Sequence, residues 1–262
     1  AIGAGFFLIP AVGFAWTVGL AAALNLLLAV GVAFLGQGVA RRVLVAGLIG
    51  MVLLAFLPPR TPWRLLRFAY LTRRVLPGQL IFDRVGRSST VLVLYRKGAY
   101  YVTNNGLPEA GILPADDSSA DLTNRWLGAL PTLARPDSES LLVIGLGGGL
   151  VVEDVPRSVQ EIDVIELEPE VVEANRFVSA RRFSDPLSDP RIRIVENDAR
   201  GALLLTQRRY DAIVSQPSHP WTAGASHLYT REFFDLVREH LEPGGVFIQW
   251  VGIRFVDEDL LR

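Results

Sequence analysis

The chain has 262 residues, enough for more than one domain, and its charges are unevenly distributed. The first 82 residues contain seven arginines and no acid, a charge of +7, whereas residues 83–262 hold the other 19 basic residues against all 27 acids, a charge of −8. A basic, apolar half suits a membrane with an anionic cytoplasmic face, and a mildly acidic half argues against nucleic acid as a partner. The absence of cysteine excludes disulfides and thiolate metal sites, and three histidines do not favour a histidine-rich one.

Residues 1–36 contain no charged side chain, and this apolar run exceeds the roughly 20 residues that cross a bilayer. We predict the end of one transmembrane helix over residues 2–16, kinked or ended by Pro10 and Gly13, and a second helix over residues 18–36. A signal peptide would need a charged n-region and a single short apolar core, and the run is too long for that. Because the chain starts inside the run, we interpret it as a piece of a longer protein with its first helix truncated.

A third apolar block, residues 43–57, is short for a span, but we predict that it crosses the membrane. Two arginines precede it and five follow, so the positive-inside bias places everything after residue 60 in the cytoplasm. Residues 63–74, WRLLRFAYLTRR, mix aromatic residues, leucines and arginines without an acid, which is typical of an interfacial helix. The sequence therefore predicts about three transmembrane helices and a basic interfacial segment over residues 1–75.

A small β subdomain and a linker are predicted over residues 78–140. The runs at 89–96 and 99–103 are β-branched and aromatic, and Lys97-Gly98 between them is typical of a hairpin turn. The other predicted features are a turn at 104–106, a polar loop at 116–121 and a helix at 122–133.

The stretch LLVIGLGGG at residues 141–149 indicates a buried strand that runs into a glycine-rich loop. The dinucleotide pattern G-x-G-x-x-G needs a glycine where this chain has Leu150, whereas Gly145, Gly147 and Gly149 fit the G-x-G-x-G of nucleoside-binding methyltransferase-type folds. The spacing favours S-adenosylmethionine or a relative over NAD. A glycine-rich turn without a ligand is the alternative interpretation.

Acidic residues follow the next two predicted strands. The strand at 162–165 ends at Glu166, whose carboxylate can accept hydrogen bonds from both ribose hydroxyls. The strand at 192–195 precedes Asp198 and Ala199, where an acid beside a small residue can take the adenine amino group. Each acid alone is more often a solvated turn residue or a helix cap, but their placement after successive strands favours a nucleoside site.

Strands and helices alternate to the end of the chain, with further strands at 212–215 and 246–250 and a helix at 230–241 between them. This alternation predicts an α/β fold with a parallel, doubly wound sheet, whose ligands bind at the carboxyl ends of the strands. We assign residues 141–262 to a nucleoside-binding α/β domain.

Residues from about 85 to 262 resemble the spermidine synthase (polyamine aminopropyltransferase) family, in particular its membrane-fused bacterial branch with N-terminal transmembrane helices. The matching stretches are LLVIGLGGG, VIELEPEVVEAN, IRIVENDAR, YDAIVSQPSHPWTAGASHLYTREFF and LEPGGVFIQW. The resemblance implies a Rossmann-like S-adenosylmethionine-dependent methyltransferase fold of seven strands with a small N-terminal β subdomain. It also implies a bacterial inner membrane protein with a cytoplasmic α/β domain. Since five strands are visible, we expect the domain to be truncated at its C-terminus.

Carried over position by position, the resemblance assigns the nucleoside loop to Gly145, Gly147 and Gly149, the ribose to Glu166, and the adenine to Asp198 with Ala199. The implied substrate is decarboxylated S-adenosylmethionine or S-adenosylmethionine, with no metal. The implied partners are a small-molecule amine and the lipid bilayer, without nucleic acid, and the resemblance allows a homodimer.

Several features depart from the family, and residues 121–128, DLTNRWLG, do not match the Tyr-His-Glu segment of soluble synthases. Gly148 stands where soluble spermidine synthases have an aspartate, and Gln216 stands where an acid is expected to take the proton from the attacking amine. An amide has no basic site near neutral pH, so Gln216 cannot do this. His219 is a candidate base, and its alternative role is that of a turn residue between two prolines. Gln216 and His219 are therefore the candidate catalytic positions.

The leading hypothesis is aminopropyl transfer to a polyamine by a membrane-anchored transferase. The alternatives are an S-adenosylmethionine-dependent methyltransferase and a catalytically degenerate protein that senses a nucleoside.

Overall fold

The computed structural model describes residues 3–35, 40–57, 59–69, 73–114, 122–218, 220, 222 and 224–251. The chain divides into two compact units, Ala1–Phe68 and Ala69–Arg262. The first unit is helical and apolar. The second contains a four-stranded and a five-stranded sheet, and the candidate site lies entirely within it.

A long apolar helix dominates the first unit. After a π-helical turn at Ala4–Leu8, α1 spans Ile9–Leu35 and is interrupted at Gly13, whose φ of 79° and ψ of 170° are not helical. The predicted kink is therefore confirmed at Gly13, but the helix runs on through the break that we predicted after residue 16. Among the described residues, Ile9–Phe34 is the one helix whose length and composition would let it cross a membrane.

The third predicted apolar span forms helix α2, Ala40–Phe56. Its 17 residues are about 25 Å long, somewhat less than the roughly 30 Å hydrocarbon core of a bilayer. Two glycines of α2 face α1: a Cβ at Gly47 would lie 2.7 Å from Val30 Cγ2, and one at Gly50 would lie 2.9 Å from Leu26 Cδ2. Close approach through small residues is a common mode of helix packing in membranes.

The predicted interfacial helix at residues 63–74 is wrong after Leu66 in the part of the segment that the structure describes. Among the described residues of this segment, Trp63–Leu66 is helical, as the single turn α3, and it is followed by two-residue strands, β1 at Phe68–Ala69 and β2 at Arg74–Val75. Short helices have little intrinsic stability, because nucleation is costly and only packing of an apolar face offsets it.

The small β subdomain is an antiparallel sheet in the order β3, β4, β5, β6. Its strands are β3 Gln79–Val85, β4 Thr90–Arg96, β5 Ala99–Asn104 and β6 Leu107–Ile112. The predicted hairpin turn is confirmed, with positive φ at Lys97 (49°) and Gly98 (85°), as a type I′ turn requires. The sequence predicted β4 and β5 but not β3 or β6. The sequence of β6, LPEAGI, contains proline and glycine and has no alternating β pattern.

The α/β domain contains a parallel five-stranded sheet in the order β11, β10, β7, β8, β9. Its strands are β7 Ser140–Ile144, β8 Glu161–Glu166, β9 Ile192–Glu196, β10 Tyr210–Ser215 and β11 Leu241–Gln249. The helices are α4 Leu122–Ala134, α5 Leu150–Glu153, α6 Pro169–Val178, α7 Ala199–Leu205 and α8 Arg231–Glu239. Each predicted strand of this domain is present.

Alternate residues of the central strands enter two separate hydrophobic clusters. Val143 and Val214 belong to one cluster, whereas Leu142 and Ile213 belong to the other. Because successive side chains of a strand point to opposite faces, the sheet is covered on both faces, as a doubly wound fold requires.

The last strand begins earlier than we predicted. The predicted strand was 246–250, but β11 starts at Leu241 and includes residues 242–245, EPGG. The pairing of β11 with β10 shifts register between Tyr210 and Ala212, and Gly244 has a φ of 75°. The extra residues form an irregularity within the strand, where glycine tolerates the positive φ.

Candidate functional site

The glycine loop connects β7 to α5 and needs its glycines for conformation and space. Gly145, Gly147 and Gly149 have φ values of 91°, 53° and 73°, a region that favours glycine. A Cβ at Gly145 would lie 2.9 Å from the Gln216 carbonyl oxygen, and one at Gly149 would lie 2.8 Å from Pro186 Cγ. Gly145 and Gly147 line a cavity at the carboxyl edge of the sheet, whereas Gly149 is the N-cap residue of α5.

Glu166, at the end of β8, is buried beneath this loop and holds its backbone. Its Oε2 accepts a hydrogen bond from the Leu146 amide at 2.9 Å, and its Oε1 accepts one from the Glu168 amide at 2.9 Å. Burial raises the pKa of Glu166, although the backbone amides of Glu168, Leu146 and Gly147 lower it in part. The side chain lines the cavity, and each carboxylate oxygen can accept more than one hydrogen bond, so a ribose diol can still bind there.

A buried polar network that we did not predict supports the carbonyl side of the loop. Asn175 donates from Nδ2 to the Gly147 carbonyl at 2.8 Å, and Arg182 donates from Nη2 to the Gly148 carbonyl at 2.8 Å. Arg182 also donates to Asn175 Oδ1 at 2.9 Å and pairs with Glu153. In the sequence, Asn175 lies on α6 and Arg182 follows this helix, and neither residue type reveals its partners.

Glu168 joins the small β subdomain to the α/β domain. Its Oε2 accepts hydrogen bonds from Ser88 (amide 3.0 Å, hydroxyl 2.7 Å) and from Ser89 (amide 3.1 Å, hydroxyl 3.3 Å). The chain approaches so closely here that a Cβ at Gly86 would lie 1.9 Å from Glu168 Oε1. Since Ser88 and Ser89 also line the cavity, Glu168 fixes one wall of the site.

Asp198 and Ala199 follow β9 and line the same cavity. Asp198 is the N-cap of α7, where its Oδ1 accepts a hydrogen bond from the Gly201 amide at 2.8 Å. Asp198 therefore caps α7 and also lines the cavity. Ala199 is buried at the first turn of α7.

Gln216 follows β10 and is bonded to the glycine loop. Its backbone amide donates to the Ile144 carbonyl at 2.9 Å, and its side-chain Nε2 donates to the Gly145 carbonyl at 2.8 Å. A carboxylate at this position could not donate this hydrogen bond, and its oxygen would repel the Gly145 carbonyl oxygen. The amide of Gln216 therefore stabilises the loop. The other candidate, His219, lies outside the described residues.

The cavity thus brings together six of the eight predicted site residues: Gly145, Gly147, Glu166, Asp198, Ala199 and Gln216. It also contains an acid that we missed, Glu109 of β6, which accepts a hydrogen bond from the Ser218 hydroxyl. Burial raises the pKa of Glu109, and the nearby charge of Glu166 raises it further, while the bond from Ser218 lowers it. Within the described part of the chain, no group of three or more histidine, aspartate or glutamate side chains is arranged to hold a metal ion.

Comparison with known proteins agrees with this geometry. Residues 121–260, more than half of the chain, match the spermine/spermidine synthase domain. Curated relatives include polyamine aminopropyltransferases of Yersinia pestis (strain Pestoides F) and Yersinia pseudotuberculosis (strain IP 31758), each 28% identical over 161 residues, or 58% of this chain and 54% of the relative. The chain spans about half the length of the curated relatives it matches.

Solved structures show the same fold. A spermidine synthase in complex with the transition state analogue AdoDATO has a TM-score of 0.54 at 20% identity, covering 62% of this chain and 55% of that one. Spermidine synthase from Thermotoga maritima has a TM-score of 0.54 at 23% identity, covering 64% and 55%. The predicted Rossmann-like methyltransferase-type fold is therefore confirmed. Because the matching domain occupies more than half of its residues, the chain belongs to the spermine/spermidine synthase family.

Proposed function

We propose that this protein is a membrane-anchored aminopropyltransferase whose cavity binds decarboxylated S-adenosylmethionine. The observation that carries the proposal is the convergence of the glycine loop, Glu166 and Asp198 on one cavity at the carboxyl ends of β7, β8 and β9. In an open α/β sheet this edge is where ligands bind. The family membership and the curated relatives support the reaction class.

The transfer forms a carbon–nitrogen bond as a carbon–sulfur bond breaks. A neutral amine attacks the carbon next to the sulfonium, methylthioadenosine leaves, and the new ammonium gives up a proton. In this proposal Glu166 accepts hydrogen bonds from the ribose hydroxyls, and Asp198 with Ala199 meets the adenine. Gly145 and Gly147 let the backbone approach the nucleoside closely.

One observation favours a second candidate function. The Gln216 amide is bonded to the Gly145 carbonyl and offers no base to an attacking amine. Methyl transfer from S-adenosylmethionine to an acceptor that needs no base here, or nucleoside sensing without catalysis, would tolerate this amide.

Helix α1 supports membrane anchoring. Its leucine and valine side chains remain largely exposed, with Leu24, Leu28 and Val32 at 59%, 59% and 69%. Lipid would cover such a surface at no cost in free energy, whereas water would not. We place the α/β domain on the cytoplasmic side of a bacterial inner membrane, following the excess of arginines after residue 60.

The proposed function is tested by calorimetric titration of the full chain in detergent with decarboxylated S-adenosylmethionine, S-adenosylmethionine and methylthioadenosine. We expect the decarboxylated form and methylthioadenosine to bind most tightly. We expect Glu166→Gln to weaken all three, because the amide NH₂ cannot accept a hydrogen bond from the loop or the ribose. Preference for S-adenosylmethionine would favour methyl transfer or sensing, and absence of binding by all three would refute the nucleoside site.

A further inference from the structure

A β-bulge presents Glu109 to the cavity. In the pairing of β5 with β6, Val102 lies opposite Ala110 and Thr103 lies opposite Pro108, so Glu109 is the extra residue. Bulges commonly occur beside functional sites, where the extra residue re-aims a side chain. Glu109 lines the cavity that also contains Glu166 and Gln216.

The described contacts of Glu109 leave its negative charge without a cation. The Ser218 hydroxyl donates to its Oε1, and among the described residues no arginine or lysine is close enough to shift its pKa. The other charged group that acts on it is the buried carboxylate of Glu166, which is repulsive. Nearby Tyr229 donates to the Ser218 carbonyl at 3.1 Å and stays neutral, since burial raises its pKa to about 12.

The three acids of the cavity differ in what their oxygens already bind. Glu166 holds backbone amides of the glycine loop and Asp198 caps α7. Glu109 is bonded to a hydroxyl, which can rotate away from it. A half-buried carboxylate without a cation is costly unless a ligand neutralises it, and a positively charged amine is the ligand that would.

Contacts made by neighbouring residues place Glu109 near Gly148 and Gln216, two of the positions that depart from the family. A Cβ at Gly148 would lie 2.5 Å from Ala110 Cβ, so the strand that carries Glu109 occupies the space of any side chain at Gly148. Ser218, its hydrogen-bond donor, is two residues after Gln216. A carboxylate from β6 therefore reaches the region where Gly148 and Gln216 offer none.

We propose that Glu109 is the carboxylate that binds the amine substrate and takes the proton of its attacking nitrogen, in place of the acid missing at Gln216. This inference rests on the proposed aminopropyl transfer. The carbon–nitrogen bond forms, the carbon–sulfur bond to methylthioadenosine breaks, and the proton of the new ammonium passes to the Glu109 carboxylate, which releases it to water. Glu109 recognises the primary amine end of a diamine or polyamine, which binds as an ammonium, loses one proton to water and attacks as the neutral amine.

The test is titration of the full chain, saturated with methylthioadenosine, with putrescine and with spermidine. We expect Glu109→Gln to lower the affinity for the amines by about tenfold to a hundredfold, because it removes a charge-assisted hydrogen bond. Methylthioadenosine affinity should stay within about twofold, since Glu109 is not assigned to the nucleoside. Glu239→Gln, at an exposed acid of α8, is the matched control and should change neither affinity.

Unchanged amine affinity in Glu109→Gln would overturn the inference, and so would the absence of amine binding by the wild-type chain. Nucleoside binding without amine binding would refute the role of Glu109 and leave the nucleoside site standing. Glu109→Asp keeps the charge on a shorter side chain and should retain part of the amine affinity that Glu109→Gln loses, which separates loss of charge from loss of fold.

Discussion

At the scale of single residues, the burial of Glu109 links ligand binding to stability. A carboxylate whose pKa is raised in the folded protein binds its proton more readily there than in the unfolded chain. Protonation therefore stabilises the fold. This contribution is fully present below the unfolded pKa and is lost as pH rises through the folded pKa.

We predict that Glu109→Gln makes the ligand-free protein more stable near neutral pH, with a smaller gain near pH 4. The measurement is the midpoint of thermal unfolding in detergent for wild type and variant at about pH 4 and about pH 7.5. The gain in unfolding temperature must grow with pH, because Glu109 becomes charged as pH rises and destabilises the wild type, whereas glutamine stays neutral. A gain that is equal at both pH values, or one that Glu239→Gln reproduces, would contradict the burial of a charge at Glu109.

At the scale of elements, the glycine loop is held from both sides. Glu166 of β8 accepts a hydrogen bond from a backbone amide of the glycine loop. Asn175 and Arg182 donate hydrogen bonds to backbone carbonyls of the same loop. The Arg182 side chain is fully buried and pairs with Glu153, so its removal leaves a buried carboxylate without its cation. The conformation of the loop therefore depends on residues of α6 and the segment after it as well as on its own glycines.

We predict that Arg182→Met lowers the free energy of unfolding by about 3–5 kcal/mol and weakens methylthioadenosine binding. Thermal unfolding and calorimetric titration measure the two effects. The control is Arg176→Met, since Arg176 is exposed and its pair with Glu173 should be worth less than about 1 kcal/mol.

The double variant Glu153→Gln with Arg182→Met should recover part of the lost stability, because no charge is then buried unpaired. Full nucleoside affinity in Arg182→Met would show that the network stabilises the domain without shaping the loop.

At the scale of the whole molecule, opposite charge and different composition separate the two units. Helices α1 and α2 expose large apolar side chains along most of their length, whereas the α/β domain has a hydrophobic core on both faces of its sheet. We predict that the full chain stays with membranes through an alkaline wash and is released by detergent.

The measurement is fractionation of cells that express the full chain, followed by the intact mass of the membrane-bound protein. A mass that includes residues 9–35 would identify α1 as an anchor, whereas a mass that lacks them would identify a cleaved signal sequence. Release by the alkaline wash would contradict the transmembrane assignment of α1.

The sequence by itself determined the α/β domain, because its signals are local. Four apolar residues before three spaced glycines predict a buried strand and a tight loop from neighbouring residues alone, and the structure has both. The glycine spacing and the acids after successive strands named five residues that line the cavity, and the family resemblance added Gln216. The interfacial helix failed because an apolar and basic pattern over 12 residues does not outweigh the cost of nucleation.

Only the tertiary structure decided which groups come together around the cavity. Glu109, Arg182 and Glu168 meet their partners across 109, 34 and 80 residues of sequence, and no local pattern encodes such contacts. The role of Gln216 likewise depends on the Gly145 carbonyl, 71 residues away. A side chain's type fixes which bonds it can make, but burial and the neighbours that folding supplies decide which it does make, and therefore which charges a substrate meets.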